Sequence, residues 1–357
     1  MTRYIHPRRI QPRKLTSRGQ GRLAKPKIAA APPVSKRTQA AISHALENAR
    51  SPATSKAFQR TQDDFRAFCI ERKYLEQHHL PVKEEVLCAF ALSFQGRVAG
   101  ATVRGKISNL KKWHEFEGAV WHGGLKLRTV LDFVEKCTPA TSRKDLRKEI
   151  TTDMLQLLIN ELDLAVGQDA AVFAVALTAF YGQLRLGEIL STHQDRTHKR
   201  ANAIPAVKHL TPPSSARTTA TLLLPSTKTS QCRGDTIILP KQSGPLDPLA
   251  ALQYHIRRNR LSPECSLASY RSTSSTSVST LTVKLFMGRC NQIWGQYGYA
   301  KYTGHSFRIG GTTHYLIARV DPQVVKAMGR WKSDAFQKYW RSLDALAALH
   351  TEHLRRK

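Results

Sequence analysis

The sequence predicts two folded units of different class: an all-α domain over residues 41–135 and a mixed α+β domain over 145–345. Three observations predict this. Apolar residues within 41–135 recur at intervals of three and four, the period of a helix face. Beyond 145 two short β-rich runs, 221–224 and 236–239, flank a polar turn that carries Lys228 and Gly234. Between the units, Cys137-Thr-Pro-Ala-Thr-Ser142 breaks the helical pattern and puts a linker at 136–144. At 357 residues the chain is long enough for each unit to bury its own core.

Residues 1–40 hold 11 Lys/Arg, no Asp/Glu and five prolines, a composition that collects no core and predicts a basic disordered tail. In the first domain Phe58, Phe65 and Phe68 share one side of a helix. Val103, Ile107, Leu110 and His114 form a second stripe. Lys106, Lys111 and Lys112 lie away from much of that stripe, either as a solvated face or as phosphate contacts. A helix near 127–136 closes the domain. In the second domain Met154, Leu155, Leu158 and Leu162 make one stripe, and 171–190 contains another. Residues 262–280 are crowded with Ser and Thr and predict a flexible surface insertion. Helical signals return at 281–294. Asp321-Pro322 is a helix start that Gly329 ends, and an apolar stripe at 343–354 predicts a C-terminal helical tail over 346–357.

The net charge of +30, from 56 Lys/Arg against 26 Asp/Glu, exceeds what solubility requires. A field of that sign attracts a polyanion and strengthens its binding through counterion release. Nucleic acid is therefore the expected partner. A membrane is not, because no apolar run reaches the length of a span. No signal peptide is read at the polar, basic N-terminus. The six cysteines form no CxxC pair, which speaks against a structural zinc site or a disulfide framework and fits a reducing compartment.

Several residues suited to chemistry occur in a telling order. Leu184-Arg185-Leu186-Gly187-Glu188 comes first, then Ser226-Thr227-Lys228-Thr229 in the hairpin turn. Gly304-His305-Ser306-Phe307-Arg308, Gly329-Arg330-Trp331 and Tyr339 follow. Together these segments resemble the tyrosine recombinase (phage-type integrase) family, over about 145–345 well and 45–135 weakly. Residues 329–339 look most like the recombinases of DIRS-like retrotransposons and Cryptons. The resemblance implies a two-domain DNA clamp, with an all-α core-binding domain ahead of a mixed α+β catalytic domain. It assigns catalytic roles to Arg185, Lys228, His305, Arg308, Trp331 and Tyr339, and an accessory role to Glu188. It also implies a 3′-phosphotyrosyl intermediate, no cofactor or metal, double-stranded DNA as partner, and a tetramer in the recombining complex. For a eukaryotic source the nucleus is the expected location. One departure is visible: Trp331 and Tyr339 are eight apart, where many members place the pair nine apart, and Trp340 holds the nine-residue place.

Chemistry gives independent reasons for these residue types. Attack on a phosphodiester builds charge on non-bridging oxygens, which the forked donors of Arg185 and Arg308 suit. An ammonium at Lys228, with Lys208 as runner-up, protonates the departing 5′ oxygen. His305 lies three before Arg308, on one helix face, and can assist proton transfer. Trp331 offers an indole N–H and a packing surface. The phenol of Tyr339 is a weak nucleophile near pKa 10 that neighbouring positive charge favours in its ionised form. Three other readings stay open on sequence: type IB topoisomerase-like relaxation, a DNA-binding protein that no longer cleaves, and a metal-dependent nuclease. The last lacks a convincing carboxylate cluster.

Overall fold

The computed structural model describes residues 34–49, 51–74, 80–143, 147–191, 203–215, 219–227, 230, 232–272, 277–333 and 336. The chain divides into two units at Lys144/Asp145. In the first, Ser35 and Ser51 open helices α1 (Lys36–Asn48) and α2 (Pro52–Glu71), their side chains accepting from Thr38 N at 3.2 Å and Thr54 N at 3.3 Å. With that cap, α1 begins ahead of the residue-41 boundary read from composition. Helices α3 (Glu84–Leu92), α4 (Gly100–Phe116) and α5 (Leu125–Lys136) complete the unit. Glu84 ties α3 to the start of α5, accepting from Gly124 N at 2.7 Å and Leu127 N at 3.0 Å.

The aromatic stripe of α2 goes where its spacing points. Phe65 and Phe68 are buried and set their rings 5.2 and 5.3 Å from Phe90 of α3, within the range of edge-to-face pairing. Phe58 stays half-buried, 6.4 Å from Phe116. The α4 stripe of Val103, Ile107, Leu110 and His114 is buried throughout. His114 is a structural histidine: Nδ1 donates to Leu110 O at 2.7 Å and Nε2 accepts from Val82 N at 3.0 Å.

The second unit contains α6 (Thr152–Glu161), α7 (Gly167–Tyr181), α8 (Pro248–Arg258), α9 (Val283–Gln296), α10 (His305–Ile317) and α11 (Pro322–Met328). Its strands β1 (Leu210–Thr211), β2 (Ala220–Leu224) and β3 (Asp235–Leu239) form one antiparallel sheet, with Leu222 opposite Ile237. Strands β4 (Ser269–Arg271) and β5 (Val278–Thr280) form another. The burial of β2 and β3 alternates, with Leu222, Leu224, Ile237 and Leu239 inward and Leu223 and Ile238 outward. Gly234, at φ 66°, turns the hairpin where a Cβ would lie 2.2 Å from Leu224 O.

Two expectations need correction. Helix α7 carries no stripe: every residue from Asp169 to Tyr181 is buried, so it is a central helix packed on all sides. The segment 262–280 is not simply a surface insertion, since Leu267, Ala268 and Tyr270, with Leu281 just beyond, are core residues and its ends pair as β4 and β5. Four apolar side chains outweigh the Ser/Thr composition there. The predicted C-terminal tail, 346–357, lies outside the described residues.

No described helix is long and apolar enough to cross a membrane, and no described group of His, Cys, Asp or Glu has the arrangement of a metal site. All six cysteines are free.

Candidate active site

The central helix α7 ends at Gly182, and the chain turns at Gln183, which takes a left-handed φ of 48°. Leu186–Glu188 then form one turn of 3-10 helix, with Arg185 as the residue that caps its start. Glu188 is only 4% exposed. It stays there because its oxygens are filled: Oε1 accepts from Arg185 Nη1 at 2.9 Å, and Oε2 from Arg185 N at 3.0 Å and Arg330 Nη2 at 2.8 Å. Hydrogen bonds from charged donors to both oxygens offset the cost of burying such a side chain. The Arg185 side chain remains 32% exposed, open to a ligand.

Arg308 has a different setting. It sits on α10, which lies against α7 so closely that a Cβ on Gly311 would come 1.9 Å from Phe180 O. Its relative exposure is 0%. Nη1 donates to Gln183 O and Nη2 to Gly329 O, each at 2.5 Å, and Trp331 covers the guanidinium with its ring centroid 3.9 Å from Cζ. One side chain thus pins the turn after α7, 125 positions before it, to the turn after α11, 21 positions beyond it. Thr312 reinforces the joint by donating to Gln183 Oε1 at 2.8 Å.

His305 is the first residue of α10 and is half-buried, one helical turn before Arg308. The start of α10 rests on the Arg185–Glu188 turn, since a Cβ on Gly304 would meet the Leu186 side chain at 2.6 Å. Past α11, Gly329 leads into Arg330, which takes φ 56° and turns back toward Glu188. Burial pushes the Arg330 guanidinium below its ordinary pKa, opposed by the charges of Glu188 and of Asp235 at the head of β3. The hairpin therefore lies within electrostatic reach of the cluster.

The structure brings together Arg185, Glu188, Arg308 and Trp331, with His305 beside them. Lys228 and Tyr339 lie outside the described residues. The loop around Lys228 is nevertheless framed: Thr227 Oγ1 donates to Asp235 Oδ2 at 2.5 Å, and Ser230 Oγ to Gly234 O at 2.7 Å. Lys208 pairs with Glu264 at 2.6 Å. His314 sits among the rings of Phe180, Tyr181 and Tyr315, and burial lowers its pKa, the setting of a packed structural histidine. Arg330 joins the cluster without having been singled out on sequence, although it stands nine places before Tyr339, where Trp331 stands eight.

In the first unit a cleft between α2 and α4 has a volume of about 710 Å³ and is lined by Lys56, Arg60, Lys106 and Lys112 among small residues. Lys106 is paired with Asp64. Lys56, Arg60 and Lys112 are exposed.

No protein-family model and no curated protein matches the chain. Among solved structures the chain is similar to the Tn1549 transposon integrase in complex with transposon right-end DNA, with a TM-score of 0.49 and 13% identity over 89% of this chain and 98% of that one. It is also similar to the XerH site-specific recombinase bound to palindromic difH substrate (TM-score 0.48, 14% identity, 77% and 71% coverage). The XerA recombinase is a third (TM-score 0.38, 13% identity, 83% and 98% coverage). At these identities and TM-scores the likenesses assign no role to any residue of this chain.

Proposed function

We propose that the protein is a tyrosine recombinase that breaks and rejoins duplex DNA, with Tyr339 as its nucleophile. One observation carries the reading. Arg185, Glu188, Arg308 and Trp331, singled out in three distant stretches, gather with Arg330 in one hydrogen-bonded and stacked cluster of the second unit. They are the types that a phosphodiester transition state requires, and Arg185 stands open at the edge of that cluster.

In this mechanism Tyr339 attacks phosphorus, its phenolic proton passing to His305 or to solvent. The bond from phosphorus to the 5′ oxygen breaks and a 3′-phosphotyrosyl ester remains. Lys228 gives the departing 5′ oxygen its proton. The 5′-hydroxyl of another cleaved strand then reverses the attack, so one phosphodiester replaces another and no cofactor is needed energetically. Arg185 binds a non-bridging oxygen as charge develops. Arg308 is the second guanidinium. Because it is buried and holds two carbonyls, its first contribution is to fix the turns that carry Arg185 and Arg330, and a phosphate reaches it only when the cover over it opens. Duplex DNA at element termini or target sites is the partner, four copies form the recombining complex, and a DIRS-like or Crypton-like element in a nucleus is the setting.

The test is covalent capture. Purified protein is incubated with duplexes of randomised sequence carrying a 5′-bridging phosphorothiolate, whose departing sulfur re-attacks poorly, and resolved under denaturing conditions. The wild type is expected to form a protein–DNA adduct and Tyr339→Phe none, with DNA binding retained. An adduct formed by Tyr339→Phe refutes the assignment.

A further inference from the structure

We propose that Arg330 is a positioning residue for a phosphate site at Arg185, acting through the carboxylate the two arginines share. The inference rests on the phosphodiester reading above for its ligand class and on geometry for everything else.

Arg330 is placed at a cost that a structural ion pair does not explain. Its backbone is left-handed at φ 56°, a region that L side chains disfavour. Its side chain is only 12% exposed, and burial pushes its pKa down despite the carboxylate beside it. Nη1 is buried without a hydrogen-bond partner among the described residues. An apolar side chain of similar volume would stabilise the same position more simply. What Arg330 does in return is specific: Nη2 occupies Glu188 Oε2 at 2.8 Å while Oε1 holds Arg185 Nη1 at 2.9 Å. Glu188 is thereby held at both oxygens, and Arg185, the open member of the cluster, is held by a carboxylate anchored from a distant part of the chain. Without Arg330, among the described residues Arg185's own backbone N–H alone would remain on Oε2. The carboxylate would then be held by Arg185 alone, and the Arg185 fork would lose the anchor from outside its own turn.

Charge points the same way. Arg185, Arg308 and Arg330 stand against Glu188 and Asp235, an excess of positive charge at a site with one guanidinium open to solvent. Such a site draws an anion, and a pre-oriented guanidinium binds it with less loss of side-chain freedom.

The experiment needs no DNA reaction. The reactivity of Arg185 toward phenylglyoxal is followed by mass spectrometry in the full chain, with and without inorganic phosphate, for wild type, Arg330→Ala and Arg330→Lys. In the wild type, phosphate is expected to protect Arg185. Arg330→Ala should raise the phosphate concentration needed about tenfold, in keeping with the sensitivity of oriented sites to small misplacements, and Arg330→Lys should recover part of it. Glu188→Gln should give the same loss as Arg330→Ala, and the double variant little more. Unchanged protection in Arg330→Ala overturns the inference, as do additive losses in the double variant. So does global unfolding of both Arg330 variants, which would make the residue structural. If the protection pattern holds while no covalent adduct forms with DNA, the recombinase reading falls and this inference stands.

Discussion

Replacing Arg308 by lysine keeps the charge and most of the volume, yet the structure predicts a large loss of stability. Two buried carbonyls, Gln183 O and Gly329 O, each take a donor from a different nitrogen of one planar fork. A single ammonium on a shorter stem cannot serve both turns at once, so one carbonyl is left unpaired, at about 1–3 kcal/mol. The guanidinium also stacks on Trp331 with Cζ 3.9 Å from the ring centroid, and losing that contact adds about 1 kcal/mol. The expected total is about 2–4 kcal/mol in the opening of the α7–α10 joint. Amide hydrogen exchange resolved by peptide reads it directly, through the protection of α10 and of the turn at 183–185. A fall of less than about 1 kcal/mol there would refute the argument that Arg308 pins the two turns. The outcome also governs how activity is read, because an inactive Arg308→Lys protein that has lost this joint says nothing yet about phosphate contact.

His255 is buried with its Nε2 donating to Leu267 O at 3.0 Å and its Nδ1 accepting from Asn259 at 2.9 Å, and burial pushes its pKa from the ordinary 6.5 to about 4. Its folded pKa lies below the unfolded one, so its stabilising effect is present above pH 6.5 and is lost as pH falls toward 4. On the order of 2 kcal/mol should be gone by pH 5, and a His255→Gln variant that folds should show a flatter pH profile in urea denaturation. In the first unit, replacing Lys56, Arg60 and Lys112 together by Gln should weaken duplex DNA binding and reduce the slope of log K against log salt by about 2–3, as expected if each cation neutralises one phosphate. An unchanged slope would return that cleft to a solvated face.

Much of the first unit was legible because its instructions are periodic. The spacing of Val103, Ile107, Leu110 and His114 specifies a face, and burying that face is the simplest use of it. The hairpin was legible for the same reason, with alternating Leu and Ile on both sides of a turn that only Gly234 can make. The Arg185–Glu188 pair is local too, three residues apart and closed within one turn. Composition misled at 262–280, where a few buried apolar residues decide the path against a Ser/Thr-rich background. It was silent at α7, whose short apolar side chains look like a stripe until helices and strands are known to cover every side.

The sequence by itself determined the division into an all-α and a mixed unit, the strand pair, the helix bounded by Asp321 and Gly329, and the roster of residues fit for phosphate chemistry. Tertiary structure alone decided which of those residues meet and in what capacity. It put Arg308 inside, as the link between two turns, and laid Trp331 over it. It put Arg330 on Glu188, across 142 positions. The physical reason is that spacing encodes which side of an element a residue occupies, whereas burial and pairing depend on which elements come to face that side. That choice is made by close packing, here by glycines that let α10 lie against α7, and no count along the chain contains it.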